Sequence, residues 1–144
     1  MATQPATVEY LLGVSPRFGD TRLGLANLIV SGLPVSAVDH LADAVAPDDT
    51  RFKFHLIPKA TLDRRRKSAS RRLTSEEGDR LARIAKVFSF AMGVYQDKGR
   101  VREFLGRPHA MLVGKAPLDV ALATGPGADV VINLLGRAAH SGGA

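Results

Sequence analysis

From residue 21 onward the apolar positions recur at spacings of three and four rather than two, so the pattern predicts helices. "TRLGLANLIVSGLP" reads as a helix capped by Asp20 or Thr21 and ended by Gly32-Leu33-Pro34. In "VSAVDHLADAVA", with Ser36 as cap, Val35, Val38, Leu41, Ala42 and Val45 fall on one helical face. "PDDTRFKFHLI" is ambiguous, because Phe52, Phe54 and Leu56 alternate as in a strand. Its position between helical patterns favours a short helix. Pro58 suits the first turn of the next helix, where its missing N–H costs nothing. That helix is expected to run to about Lys67, with "SASRR" as its polar exit. Thr74-Ser75-Glu76-Glu77 has the form of a capping box, in which side chains satisfy orphan backbone donors at a helix start. The long helix it opens carries Leu81, Ile84, Ala85, Phe88, Met92 and Tyr95 on one stripe, with Arg80, Arg83 and Lys86 off it.

Beyond Gln96–Lys98 the composition shifts. "KGRVREFLGRP" predicts a short helix ended by Gly106 and Pro108, and "HAMLVGKAP" a connector. "PLDVALA" predicts a helix begun by Pro117. "TGPG" punctuates, and "ADVVINLLGRAA" is the last helix, with Val130, Val131, Leu134 and Leu135 as its apolar residues. At the other end, "VEYLLGV" can pack on the body and "SPRFGD" reads as a turn. The tail "HSGGA" has nothing to bury and is expected to be mobile unless a partner holds it. The whole reads as all-α, with about eight mostly short helices and no internal repeat.

A chain of 144 residues, 45% hydrophobic and 24% charged, fits one domain or two small ones sharing a core. With no cysteine, disulfides and thiolate metal sites are excluded, and a reducing cytoplasm suits it. No apolar run approaches a membrane span, and "MATQPATVEY" lacks the pattern of a signal peptide. The charge is more informative. Between Lys59 and Arg72 seven basic residues and Asp63 give +6, the formal net charge of the whole chain. The rest is balanced. An anionic partner for that one segment is the direct implication.

Catalytic chemistry finds little support. His40, His55, His109 and His140 are scattered, none at a metal-ligand spacing with a carboxylate or another His. Gly125-Pro126-Gly127 starts like a phosphate loop but lacks the strand and the third glycine, and Pro126 removes a donor. "VGKAP" lacks the remainder of a P-loop. No enzyme, metal or cofactor is expected.

Three short helices between Val35 and Lys67 have the organisation of a helix-turn-helix module with a support helix. In such modules the second helix of the pair lies in the major groove. Here that is "PKATLDRRRK", with Leu62 inward and Lys59, Thr61, Arg64 and Arg65 projecting outward. Arg66, Lys67, Arg71 and Arg72 would follow the phosphates. Four neutralised phosphates would give a salt slope of roughly −3.6. A basic run is also what a solvated helix face looks like. The six Phe and two Tyr do not interleave with it, which argues against single-strand stacking.

In the first half the motifs are "SGLPVSAVDHLA", "IPKATLDRRR" and "RLTSEEGDRLARIAKVF". In the second they are Phe104-Leu105, Pro108, Leu112, Gly114-Lys115, Pro117-Leu118-Asp119, Thr124, Gly127-Ala128 and Arg137. In this order and spacing they resemble the antitoxins of the Xre/MbcA/ParS type, over about residues 28 to 138. The resemblance implies a helix-turn-helix region over 21–73, after a variable segment 1–20, and a helical toxin-binding domain over 74–144. It implies a homodimer, a RES-domain toxin that uses NAD as partner, and autorepression at an operator. It also implies that the C-terminal helix and tail cover the toxin's NAD cleft. Asn133, Arg137, His140, Ser141, Gly142 and Gly143 are the residues here that would do so. A stand-alone helix-turn-helix repressor without a toxin partner is the competing expectation.

Overall fold

The computed structural model describes residues 7–15 and 21–140. Among these the backbone forms helices only, with two isolated antiparallel bridges, Pro34–Arg72 and His109–Lys115. The helices are α1 (Val8–Leu12), α2 (Thr21–Ser31), α3 (Ser36–Val45), α4 (Lys53–Leu56), α5 (Lys59–Lys67), α6 (Ser75–Tyr95), α7 (Lys98–Gly106), α8 (Pro117–Ala123) and α9 (Gly125–His140). A single 3-10 turn covers Ala110–Leu112. The chain divides into two compact units, one ending at Ala82 and the other beginning at Arg83, so the boundary falls within α6.

In the first unit the face expected on α3 is the core: Val35, Val38, Leu41, Ala42 and Val45 are all buried, with Ala37. Ser36 is the first helical residue rather than the cap; Val35 holds that position without a side-chain hydrogen bond. The segment "VEYLL" forms a helix of its own, α1, capped by Thr7, whose hydroxyl accepts from the Tyr10 N–H at 3.2 Å. α1 packs on α3 through buried Leu11 and Leu12. The strand-like alternation around Phe52 resolves as helix for a simple reason. Phe52 and Leu56, four residues apart, are buried, while Phe54 is only half-buried.

The turn into α5 follows from Pro58. It holds Ile57 extended at φ −134°, ψ 128°, and itself sits at the N-cap. The exit from α5 is a clip rather than a free polar strand. Val35 N–H donates to the Arg71 carbonyl at 3.0 Å and Leu73 N–H to the Leu33 carbonyl at 2.8 Å. Arg71 takes a left-handed φ of 51° to make this possible. Gly32, at φ +109°, lets α2 end against the same segment; a Cβ there would stand 2.9 Å from the Leu73 carbonyl oxygen.

The capping box forms as expected. Thr74 N–H donates to Glu77 Oε1 at 2.8 Å and Glu77 N–H to Thr74 Oγ1 at 3.2 Å. Of the α6 stripe, Leu81, Ile84, Ala85 and Phe88 are buried, whereas Met92 and Tyr95 are half-exposed. Two arginines off the stripe bond helix carbonyls: Arg80 Nη1 donates to Leu56 in the first unit at 3.1 Å, and Arg83 Nη2 to Leu122 in the second at 3.2 Å.

In the second unit α8 packs on both α7 and α9. Asp97 caps α7 by accepting from the Gly99 N–H at 3.0 Å. The segment "TGPG" is not a loop. Thr124 is the N-cap of α9, its hydroxyl accepting from Gly127 N–H at 2.9 Å. Pro126 falls in the first turn, where no intrahelical donor is lost. The buried positions of α9 are Ala128, Val131, Leu135 and Ala138, at helical spacing. Of the apolar residues noted on this helix, Val131 and Leu135 are buried, while Val130, one residue off that stripe, is 48% exposed. A Thr124→Ala variant is expected to lose about 1 kcal/mol, read from its urea midpoint; no loss would mean the cap contributes nothing.

Candidate functional site

α5 spans Lys59–Lys67 with Leu62 as its one buried residue. A helix turns about 100° per residue, so the direction opposite Leu62 belongs to Ala60, Arg64 and Lys67. All three are exposed. Lys59, at the helix start, is also exposed, and its ammonium lies 3.8 Å from Asp63. Thr61 is half-buried on the flank. Arg64 and Lys67 form no ion pair among the described residues.

Arg65, expected to project outward, and Arg66, expected along the phosphates, are both turned toward the protein. Arg65 and Arg66 flank Leu62 on the helical wheel, within about 60° of it, and each meets an acid. Arg65 forms a bidentate pair with Glu77, Nε to Oε1 at 2.9 Å and Nη2 to Oε2 at 3.1 Å, its side chain only 24% exposed. Arg66 Nη2 donates to both Asp39 oxygens, at 3.1 and 3.2 Å, and Lys53 approaches the same carboxylate at 4.0 Å. Arg72 Nη1 donates to the Gly32 carbonyl at 2.9 Å, within the clip. Arg71 and Arg72 remain exposed side chains beside it. The outward cationic surface is therefore Lys59, Arg64, Lys67, Arg71 and Arg72, with Arg65 and Arg66 acting as struts. The sequence marked Glu77 only as the acid of the capping box and gave Asp39 no role. Counting helical angle outward from Leu62 is the signal that would have called for them.

Glu77 is both the capping residue and the anchor of Arg65. Burial alone would push its pKa up; the hydrogen bonds from Arg65 and Thr74, with the guanidinium charge, outweigh this and hold it below the ordinary value. The same carboxylate raises the Arg65 pKa.

The second cluster lies on α9. Asn133, Arg137 and His140, at i, i+4 and i+7, are all exposed and share one face, with exposed Val130 a turn before. Arg137 and His140 occupy the last turn, where cations complement the helix dipole. Ser141, Gly142 and Gly143 lie outside the described residues. Among those described, no three His, Asp or Glu side chains gather to hold a metal ion, and no helix is long and apolar enough to cross a membrane.

Comparison with known proteins bears first on α5. Residues 24–86 match the family model described as Antitoxin Xre-like helix-turn-helix domain, a span that contains all of α3, α4 and α5. The chain is also 33% identical over 119 residues to a protein named Antitoxin Xre, from Yersinia enterocolitica serotype O:8 / biotype 1B (strain NCTC 13174 / 8081). That match covers 81% of this chain and 78% of the relative.

Proposed function

Because the chain belongs to the family of Xre-like antitoxins, we propose that it neutralises a RES-domain toxin that uses NAD and represses its own operon. It acts in the cytoplasm, as a homodimer and without catalysis of its own. The observation that carries the toxin half is the exposed face of Asn133, Arg137 and His140 at the end of α9. These side chains offer hydrogen-bond donors and a positive charge to a cleft built for an anionic dinucleotide. The small residues Ser141, Gly142 and Gly143 follow directly in the chain and can enter a narrow cleft. The mechanism is steric: α9 and the tail occupy the space NAD needs.

Co-expression with the toxin tests this. A chain ending at His140 and, separately, an Arg137→Glu variant are expected to weaken inhibition by at least about tenfold, seen as a renewed fall in cellular NAD. Full inhibition by both would remove the tail-and-helix mechanism.

The DNA half rests on α5. In this reading it enters the major groove with Ala60, Arg64 and Lys67 foremost, Lys59 and Thr61 beside the helix start, and Arg71 and Arg72 near the phosphates. Arg65 and Arg66 set the helix's angle through their carboxylates. For a double variant, Arg71→Ala with Arg72→Ala, the slope of log K against log[salt] should become shallower by about 1.8 per subunit. Operator titrations at several salt concentrations measure it, and an unchanged slope would place the phosphate contacts elsewhere.

A further inference from the structure

A groove of about 480 Å³ opens in the second unit, within the ~300–1,000 Å³ typical of small-molecule sites. Its apolar wall comes from the end of α6, from α7, from the 3-10 turn and from α9: Tyr95, Phe104, Met111 and Leu134. The Tyr95 and Phe104 rings stand 5.8 Å apart, tilted by 42°. Met111 is 58% exposed, unusual for an apolar side chain that lines a cavity.

The polar side of the same groove is cationic. Arg100, Arg107 and Arg137 line it, against one carboxylate, Glu103. Glu103 is already engaged with Arg107, four residues on. Arg100 lies over the Tyr95 ring, its guanidinium carbon 5.8 Å from the ring centre. Neither Arg100 nor Arg137 meets an acid among the described residues. His109 Nδ1 accepts from the Met111 N–H at 3.2 Å, which leaves the ring proton on Nε2 as a donor. Two uncompensated guanidinium groups beside a pair of aromatic rings thus share one concavity.

We infer that this groove binds a planar organic anion of the nucleotide class. The flat base lies against Tyr95, Phe104 and Met111, and the phosphate is met by Arg100 and Arg137. Either part alone is a poor fit. Inorganic phosphate leaves the apolar wall wet, and a nucleoside leaves two arginines without a counter-charge. An acidic protein segment would satisfy the charges but makes less use of a tilted aromatic pair in a concavity of this size. The inference uses side chains of the second unit only and does not depend on the identity of any toxin.

Calorimetric titration of the full chain with AMP, adenosine and inorganic phosphate tests it. AMP is expected to bind at least about tenfold more tightly than either fragment, since stacking and charge-assisted hydrogen bonds add. Arg100→Ala should weaken AMP by about tenfold, while Lys86→Ala, an exposed cation of α6 outside the groove, should leave it unchanged. Circular dichroism confirms that both variants are folded. AMP binding no tighter than phosphate, or undiminished in Arg100→Ala, overturns the proposal. Tighter binding of a Glu-rich peptide than of AMP would also overturn it and give the groove to a protein partner.

Discussion

A Gly127→Val variant is expected to lose the packing of α8 against α9 and with it most of the stability of the second unit. A Cβ at Gly127 would sit 2.2 Å from the Val120 carbonyl oxygen, 3.1 Å from the carbonyl carbon and 3.0 Å from Thr124 Oγ1. Two of these atoms are backbone, so no rotamer change relieves the clash; α8 has to move off α9. Overpacking of this kind costs about 3 kcal/mol, a drop of roughly 6–12 °C in melting temperature for a chain of this size. Gly136, later in the same helix, is the control. Its Cβ would meet nothing within 4 Å. Gly136→Ala should therefore stabilise by about 0.5–1 kcal/mol, because alanine restricts the unfolded chain more than glycine does. Opposite shifts from two glycines of one helix are the expected result. A stable Gly127→Val protein would mean that α8 and α9 do not approach this closely.

Glu77→Ala should have the second-largest effect, about 2–3 kcal/mol. Roughly 1 kcal/mol of that is the lost cap. The remainder is the bidentate pair with Arg65, reduced from the value for a fully buried pair because the Arg65 side chain is partly solvated. The loss should depend on pH with a definite sign. Glu77 has a lowered pKa in the folded chain, so its contribution is complete above the ordinary carboxylate value of about 4.5. It disappears as the pH falls through the lowered folded value. Urea unfolding at pH 7 and near pH 2 should show the gap between parent and variant closing on acidification. A gap that persists at low pH would assign the stabilisation to packing rather than to charge. On the proposed DNA-binding role of α5, operator affinity should fall as well, since α5 loses one of its two struts.

Much of the architecture was legible from spacing. The buried face of α3, the capping box, the α6 stripe and the proline-led starts of α5 and α8 follow from patterns that depend on local geometry. Most of the misread places share a cause: there a residue's role is set by a neighbour distant in sequence. Arg65 looks like an outward cation and Arg66 like a phosphate contact until Glu77 and Asp39 are brought beside them. Arg72 looks like a free exit until Gly32 offers its carbonyl. "TGPG" looks like punctuation because Gly and Pro weigh against a helix. Yet Thr124 caps it, Pro126 lies in the tolerant first turn, and Gly127 is dictated by α8 passing alongside. The candidate groove was not visible at all, because its lining comes from four separate segments between Tyr95 and Ala138.

One carboxylate, that of Glu77, is bound by the Thr74 amide and by the Arg65 guanidinium together. Such sharing limits how the sequence can drift. A change at position 77 strands two donors at once, and a change at 65 leaves the acid half-satisfied in a position where burial already works against its charge. Positions 65, 74 and 77 are therefore expected to vary across relatives as a linked set, either retained together or replaced together. Arg64 and Lys67, which form no ion pair among the described residues, carry no such linkage.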